Sequence, residues 1–67
     1  MMAVLKVIEI LSNSETSWED ATRKAVAKAS KSVKDIKSAY VQEMSTSVED
    51  GEVTEFRVNL KVTFVVK

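Results

Sequence analysis

From Val4 to Leu11 the chain reads VLKVIEIL, a run dense in β-branched side chains. The polar residues Ser12-Asn13-Ser14-Glu15 close it, so the pattern predicts a strand followed by a loop. The period then changes to that of a helix. Trp18, Ala21, Thr22, Ala25, Ala29, Val33 and Ile36 fall on one stripe, with Arg23, Lys24, Lys28 and Lys31 mostly outside it. This predicts an amphipathic helix of roughly four turns. Either Thr16 with Glu19 or Ser17 with Asp20 has the spacing of a capping box, in which a hydroxyl and a carboxylate satisfy free N–H groups at a helix start. Glu19 and Asp20 in the first turn, with lysines later, suit the helix dipole.

The next stretch, Ile36 to Val48, is strand-like, and Val53 to Val66 alternates Phe56, Val58, Leu60, Val62 and Phe64 with Glu55, Arg57, Asn59, Lys61 and Thr63. Between them Glu49-Asp50-Gly51-Glu52 marks a hairpin, since Asp-Gly favours the tight turn that antiparallel strands need. With Asp50 and Gly51 as the loop, an unbroken ladder pairs Ala39 with Val62, Val41 with Leu60 and Glu43 with Val58 on the helix-covered face. Ser38 then meets Thr63, Tyr40 meets Lys61, Gln42 meets Asn59 and Met44 meets Arg57 on the other. The fold class is α+β: a βαββ chain whose three-stranded antiparallel sheet wraps one helix, a single domain over residues 1–67.

Sixty-seven residues with one Gly and no Pro, Cys or His limit both stability and chemistry. A folded 7.5 kDa globule exposes about 4,200 Å². Its apolar burial then returns about 100 kcal/mol, which the conformational entropy of the chain roughly cancels. Without a disulfide or a zinc site of the usual kind, self-association is the expected extra source of stability. Ten Lys and Arg balance ten Asp and Glu, so the chain has no basic field for nucleic acid. The first apolar run is interrupted by Lys6 and Glu9 and is too short to span a membrane, which points to a soluble, cytoplasmic protein. Lacking His and Cys, it offers no pair of nucleophile and base, and it is read as a non-enzyme.

The strand VLKVIEILSNS, the helix start TSWEDA, the Ala-rich KAVAKAS, the EDG hairpin and the strand EFRVNLKVTFVV together resemble a dodecin over essentially the whole chain. The resemblance implies a hollow homododecamer. Many dodecins bind a flavin (FMN, riboflavin or FAD) as stacked pairs between subunits. Their pocket places a tryptophan near the start of the second strand and a glutamine on the third. In this chain those positions hold Ser38 and Arg57. A serine offers no ring to stack on, and an arginine donates hydrogen bonds but accepts none. Tyr40, close to Ser38, either flanks such a pocket or packs at an interface.

Arg57 either grips a phosphate or carboxylate with its planar fork or makes a salt bridge between subunits. Trp18, on the apolar stripe, is read as core rather than as a displaced stacking residue. Glu43 is the anomaly of the ladder. Either the strand bends beyond the helix there, or its carboxylate on an apolar face needs a lysine (Lys6 first among them), a backbone donor or a cation. Symmetry that gathers copies of Glu43 would make an oxygen site for Ca²⁺ or Mg²⁺. The acidic tip Glu49, Asp50 and Glu52 lacks the spacing of a calcium loop and is read as a solvated turn. Two functions follow: storage by sequestering a small ligand, flavin included, between subunits, or a flavin-free structural or divalent-cation-binding shell.

Overall fold

The computed structural model describes residues 4–66; residues 1–3 and 67, the ends of the expected 1–67 domain, lie outside the described residues. The elements run β1 (Val4–Ser14), α1 (Trp18–Ala29), β2 (Ile36–Glu49) and β3 (Glu52–Val66). The strands form one antiparallel sheet in the order β1-β3-β2, so the expected βαββ, α+β architecture is the one observed. Only β3 is paired on both sides. Its Val58, Leu60 and Val62 are fully buried beneath Ala21 and Ala25 of the helix, with Ile8, Ile10, Trp18, Ile36 and Val41 packed around them. Small alanines on the stripe let the helix lie close, and the branched residues of β3 fill the space beneath.

β1 runs three residues further than its apolar run, through Ser12, Asn13 and Ser14. These polar residues continue the alternation instead of breaking it, because the helix end consumes the hydroxyls of Ser12 and Ser14 and Arg57 consumes the amide oxygen of Asn13. Ser12 Oγ donates to the Ala21 carbonyl at 2.8 Å. Ser14, only 3% exposed, accepts from the N–H groups of Thr16 (2.9 Å) and Ser17 (3.4 Å) and donates to Asp20 Oδ2 (2.6 Å). Ser17 is the N-cap, with its Oγ accepting from Asp20 N at 2.9 Å. The Asp20 carboxylate turns to Ser14 and Lys24 instead of back to the cap. The Ser14 hydroxyl, and after it Lys24, hold the Asp20 carboxyl below the usual range. This stabilisation is present above the ordinary carboxylate range and is lost as pH falls through the lowered value. Ser14→Ala is expected to cost about 1–3 kcal/mol, because it strands two backbone donors. The cost is read as a lower thermal midpoint at fixed protein concentration, and an unchanged midpoint would mean that water serves those donors equally well.

The helix stops at Ala29, two turns short of the stripe that reaches Ile36. At this end Ser30 Oγ bonds back to the Val26 carbonyl at 2.8 Å, and the N–H groups of Ser32 and Val33 both close on the Ala29 carbonyl. Asp35, at φ 62°, then turns the chain into β2. Its carbonyl accepts from Val65 N–H at 3.1 Å, which ties this turn to the end of β3.

The hairpin turn is as expected, with Asp50 at φ 53°, Gly51 at φ 80° and Glu49 opposite Glu52. The ladder beyond it is not unbroken. Thr54 is an extra residue on β3, and Gln42 and Lys37 are extra residues on β2. The bulges at Thr54 and Gln42 cancel, so Val41 still meets Leu60, Ala39 meets Val62 and Ser38 meets Thr63. Between them the pairing is displaced: Glu43 meets Asn59, Met44 meets Val58 and Ser45 meets Arg57. Glu43 therefore does not stand on the helix-covered face with Val58, as the unbroken ladder required. The exchange puts Met44 on the helix side and spares a carboxylate from facing the core. Lys6 lies opposite Phe64 on the helix side, at the other end of the sheet, and is no partner for Glu43 within one chain.

Candidate functional site

The two registers lay out the sheet face turned away from the helix as rows across β1, β3 and β2. They are Asn13–Arg57–Ser45, then Leu11–Asn59–Glu43, Glu9–Lys61–Tyr40 and Val7–Thr63–Ser38. Arg57, Tyr40, Ser38 and Glu43 thus share one face. They do not share one site. Ser38 pairs with Thr63, six residues along β3 from Arg57, a separation of about 20 Å. Tyr40 stands between them, 67% exposed, beside Lys61. Within one chain no ligand touches both Ser38 and Arg57; only residues of a neighbouring copy could complete a pocket around either.

The first two rows enclose a cleft of about 310 Å³ lined by Leu11, Glu43, Ser45, Arg57 and Asn59. Each side chain has an identifiable reason to be there. The bulge at Gln42 turns Glu43 into the cleft. Arg57 is held from β1, its Nε donating to Asn13 Oδ1 at 2.9 Å. Ser45 is held from the helix, where Trp18 Nε1 donates to the Ser45 carbonyl at 3.0 Å. The Trp18 ring meets Phe56 edge-on at 5.1 Å between centroids. Trp18 is therefore a packing residue that also fixes the strand at the cleft.

Asn59 is the residue that sequence reasoning passed over. Its Oδ1 is buried and has no hydrogen-bond donor, and it lies directly across from Glu43. The signal was available in the alternation of β3, where Asn59 is an outward position between Arg57 and Lys61. Among the described residues Glu43 and Arg57 take part in no ion pair. The cleft is thus lined by an acidic residue, a serine and an asparagine whose Oδ1 is buried and unpartnered, beside a tethered guanidinium. No group of three or more acidic side chains converges among the described residues, so one copy alone does not make a closed carboxylate cage. No described helix is long and apolar enough to cross a membrane.

Comparison with known proteins identifies the family and the fold. The family model described as Dodecin matches residues 4–67. The chain is 43% identical over 63 residues to the calcium dodecin of Mycobacterium tuberculosis, covering 94% of this chain and 89% of that protein. A crystal structure of the M. tuberculosis calcium dodecin, described as calcium chelating with a novel calcium-binding site, superposes with a TM-score of 0.84. It is 41% identical, over 97% of this chain and 93% of that one. The dodecin from Streptomyces coelicolor superposes with a TM-score of 0.92 at 28% identity, over 97% and 93% of the two chains.

Proposed function

The chain belongs to the dodecin family, and from that premise we propose that it closes into a homododecamer that holds calcium, rather than a flavin, between its copies. The observation that carries this reading is that Glu43 stands opposite Asn59 in the ladder, that both line one cleft, and that Asn59 Oδ1 has no hydrogen-bond partner. Hard cations take oxygen ligands, and a buried acceptor lacking a donor is satisfied by a cation as well as by an N–H. Glu43, Asn59 and Ser45 would hold the ion, which supplies positive charge that locks neighbouring strands together. Calcium fits better than magnesium, because it accepts amide and carboxylate oxygens in irregular geometry whereas magnesium keeps its waters.

Flavin is disfavoured by Ser38, which removes the stacking plate, and by Arg57, which cannot accept a hydrogen bond. The role is cytoplasmic storage or sequestration, with no catalytic turnover. Two titrations of the assembled protein test the reading. Calcium followed by calorimetry should bind saturably. FMN, riboflavin and FAD followed by fluorescence should be quenched weakly, with affinity poorer than micromolar. Ser38→Trp with Arg57→Gln should raise flavin affinity. Sub-micromolar flavin binding without detectable calcium binding would reverse the assignment and give Tyr40 the stacking role.

A further inference from the structure

Resting on the calcium reading, we propose that the ion enters the cleft together with an oxyanion, a phosphate or a carboxylate, which Arg57 grips. Arg57 and Glu43 line the same cleft, and on β3 Arg57 and Asn59 project to one face two residues apart, about 7 Å. The guanidinium is a permanent positive charge. Its Nε is occupied by Asn13 Oδ1, which fixes the plane of the group. Its two amino nitrogens have no hydrogen-bond or ion-pair partner among the described residues.

The electrostatics of this arrangement weaken the binding of either occupant alone. A divalent cation alone, seated against Glu43 and Asn59 Oδ1, faces the positive charge of Arg57. An oxyanion alone, seated against Arg57, faces the carboxylate of Glu43 and the lone pairs of Asn59. Bound together, each removes the other's penalty. The oxyanion accepts from the free amino groups of Arg57 in the two-pronged geometry that suits a guanidinium. Its remaining oxygens fill coordination positions that the protein leaves open, since a carboxylate, an amide and a hydroxyl fall short of the roughly six to eight oxygens calcium takes. The cleft, at about 310 Å³, has room for the ion, a tetrahedral oxyanion and water. Phosphates and carboxylates share the chemistry that Arg57 recognises.

Calorimetry on the assembled protein tests this, with calcium titrated in a chloride buffer alone, with inorganic phosphate, or with acetate. The expected result is that one of the oxyanions tightens calcium binding about tenfold, and that calcium tightens that oxyanion by the same factor. The larger of the two effects identifies the source. Arg57→Gln should abolish the coupling while calcium alone binds at least as tightly as before. Asn13→Ala, which leaves the guanidinium in place but untethered, should weaken the coupling, and it serves as the test if Arg57→Gln does not assemble. Calcium binding that ignores both oxyanions, or a coupling that survives Arg57→Gln, overturns the inference and leaves the calcium reading standing. No calcium binding in any arm overturns the calcium reading itself.

Discussion

Val48→Asp combined with Val53→Asp is expected to convert the assembled protein into unfolded chains, not into folded monomers. Both valines lie on the part of the β2–β3 hairpin that runs past the end of β1, since the last β1 pair is Ser14 with Phe56. They are 63% and 52% exposed in the isolated chain. The molecule extends 52 Å along its long axis, whereas the twelve-residue helix is only about 18 Å long. The hairpin tip is therefore a bare two-stranded ribbon, and such ribbons are marginal alone in water. The chain exposes 5149 Å², well above the roughly 4,200 Å² of a globule of its mass. Both outer strands, β1 and β2, are long open edges. Burial of each valine against a neighbouring copy would contribute about 1.5–3 kcal/mol per chain. Light scattering should show loss of the large particle, and circular dichroism should show loss of the sheet with it. A double variant that stays folded as a monomer at micromolar concentration would refute the claim that assembly completes the core.

Chelation of calcium is expected to lower the thermal midpoint of the assembled protein by about 10–20 °C. A ligand present at a hundred times its dissociation constant stabilises the state it binds by about 2.7 kcal/mol. For a chain of this size each kcal/mol is worth about 4–8 °C. Glu43→Gln preserves the shape of the side chain and removes its charge. The variant should melt near the chelated wild type and should not respond to a chelator. If the wild type melts identically with and without chelator, the Glu43 carboxylate is compensated by something other than a divalent ion, a cationic side chain of a neighbouring copy being the first to examine.

Much of this fold was legible because its strongest signals are local. The alternation of Phe56 to Phe64 marks the central strand, the Asp50-Gly51 turn gives the hairpin, and the alanine stripe gives the helix face. The helix end was misread because Val33 and Ile36 stay in phase with the stripe. Periodicity cannot register that the chain leaves the helix after Ala29 and turns at Asp35, or that Ile36 reaches the core from a strand opposite Phe64. The polar end of β1 was misread as a loop because Ser12 and Ser14 serve helix groups that lie far away before folding. Glu43 shows the sharpest limit. Its face depends on two bulges of opposite effect, at Thr54 and Gln42, and neither residue carries a bulge signature such as glycine. With Glu43 assigned to the wrong face, its partnership with Asn59, and hence the cleft, stayed hidden.

Native mass spectrometry of the purified particle, with and without calcium, decides between the calcium and flavin readings. The expected particle is colourless, has the mass of twelve chains, gains whole multiples of calcium and loses them to a chelator. A folded single chain, or a yellow particle carrying stoichiometric flavin and no calcium, would contradict it.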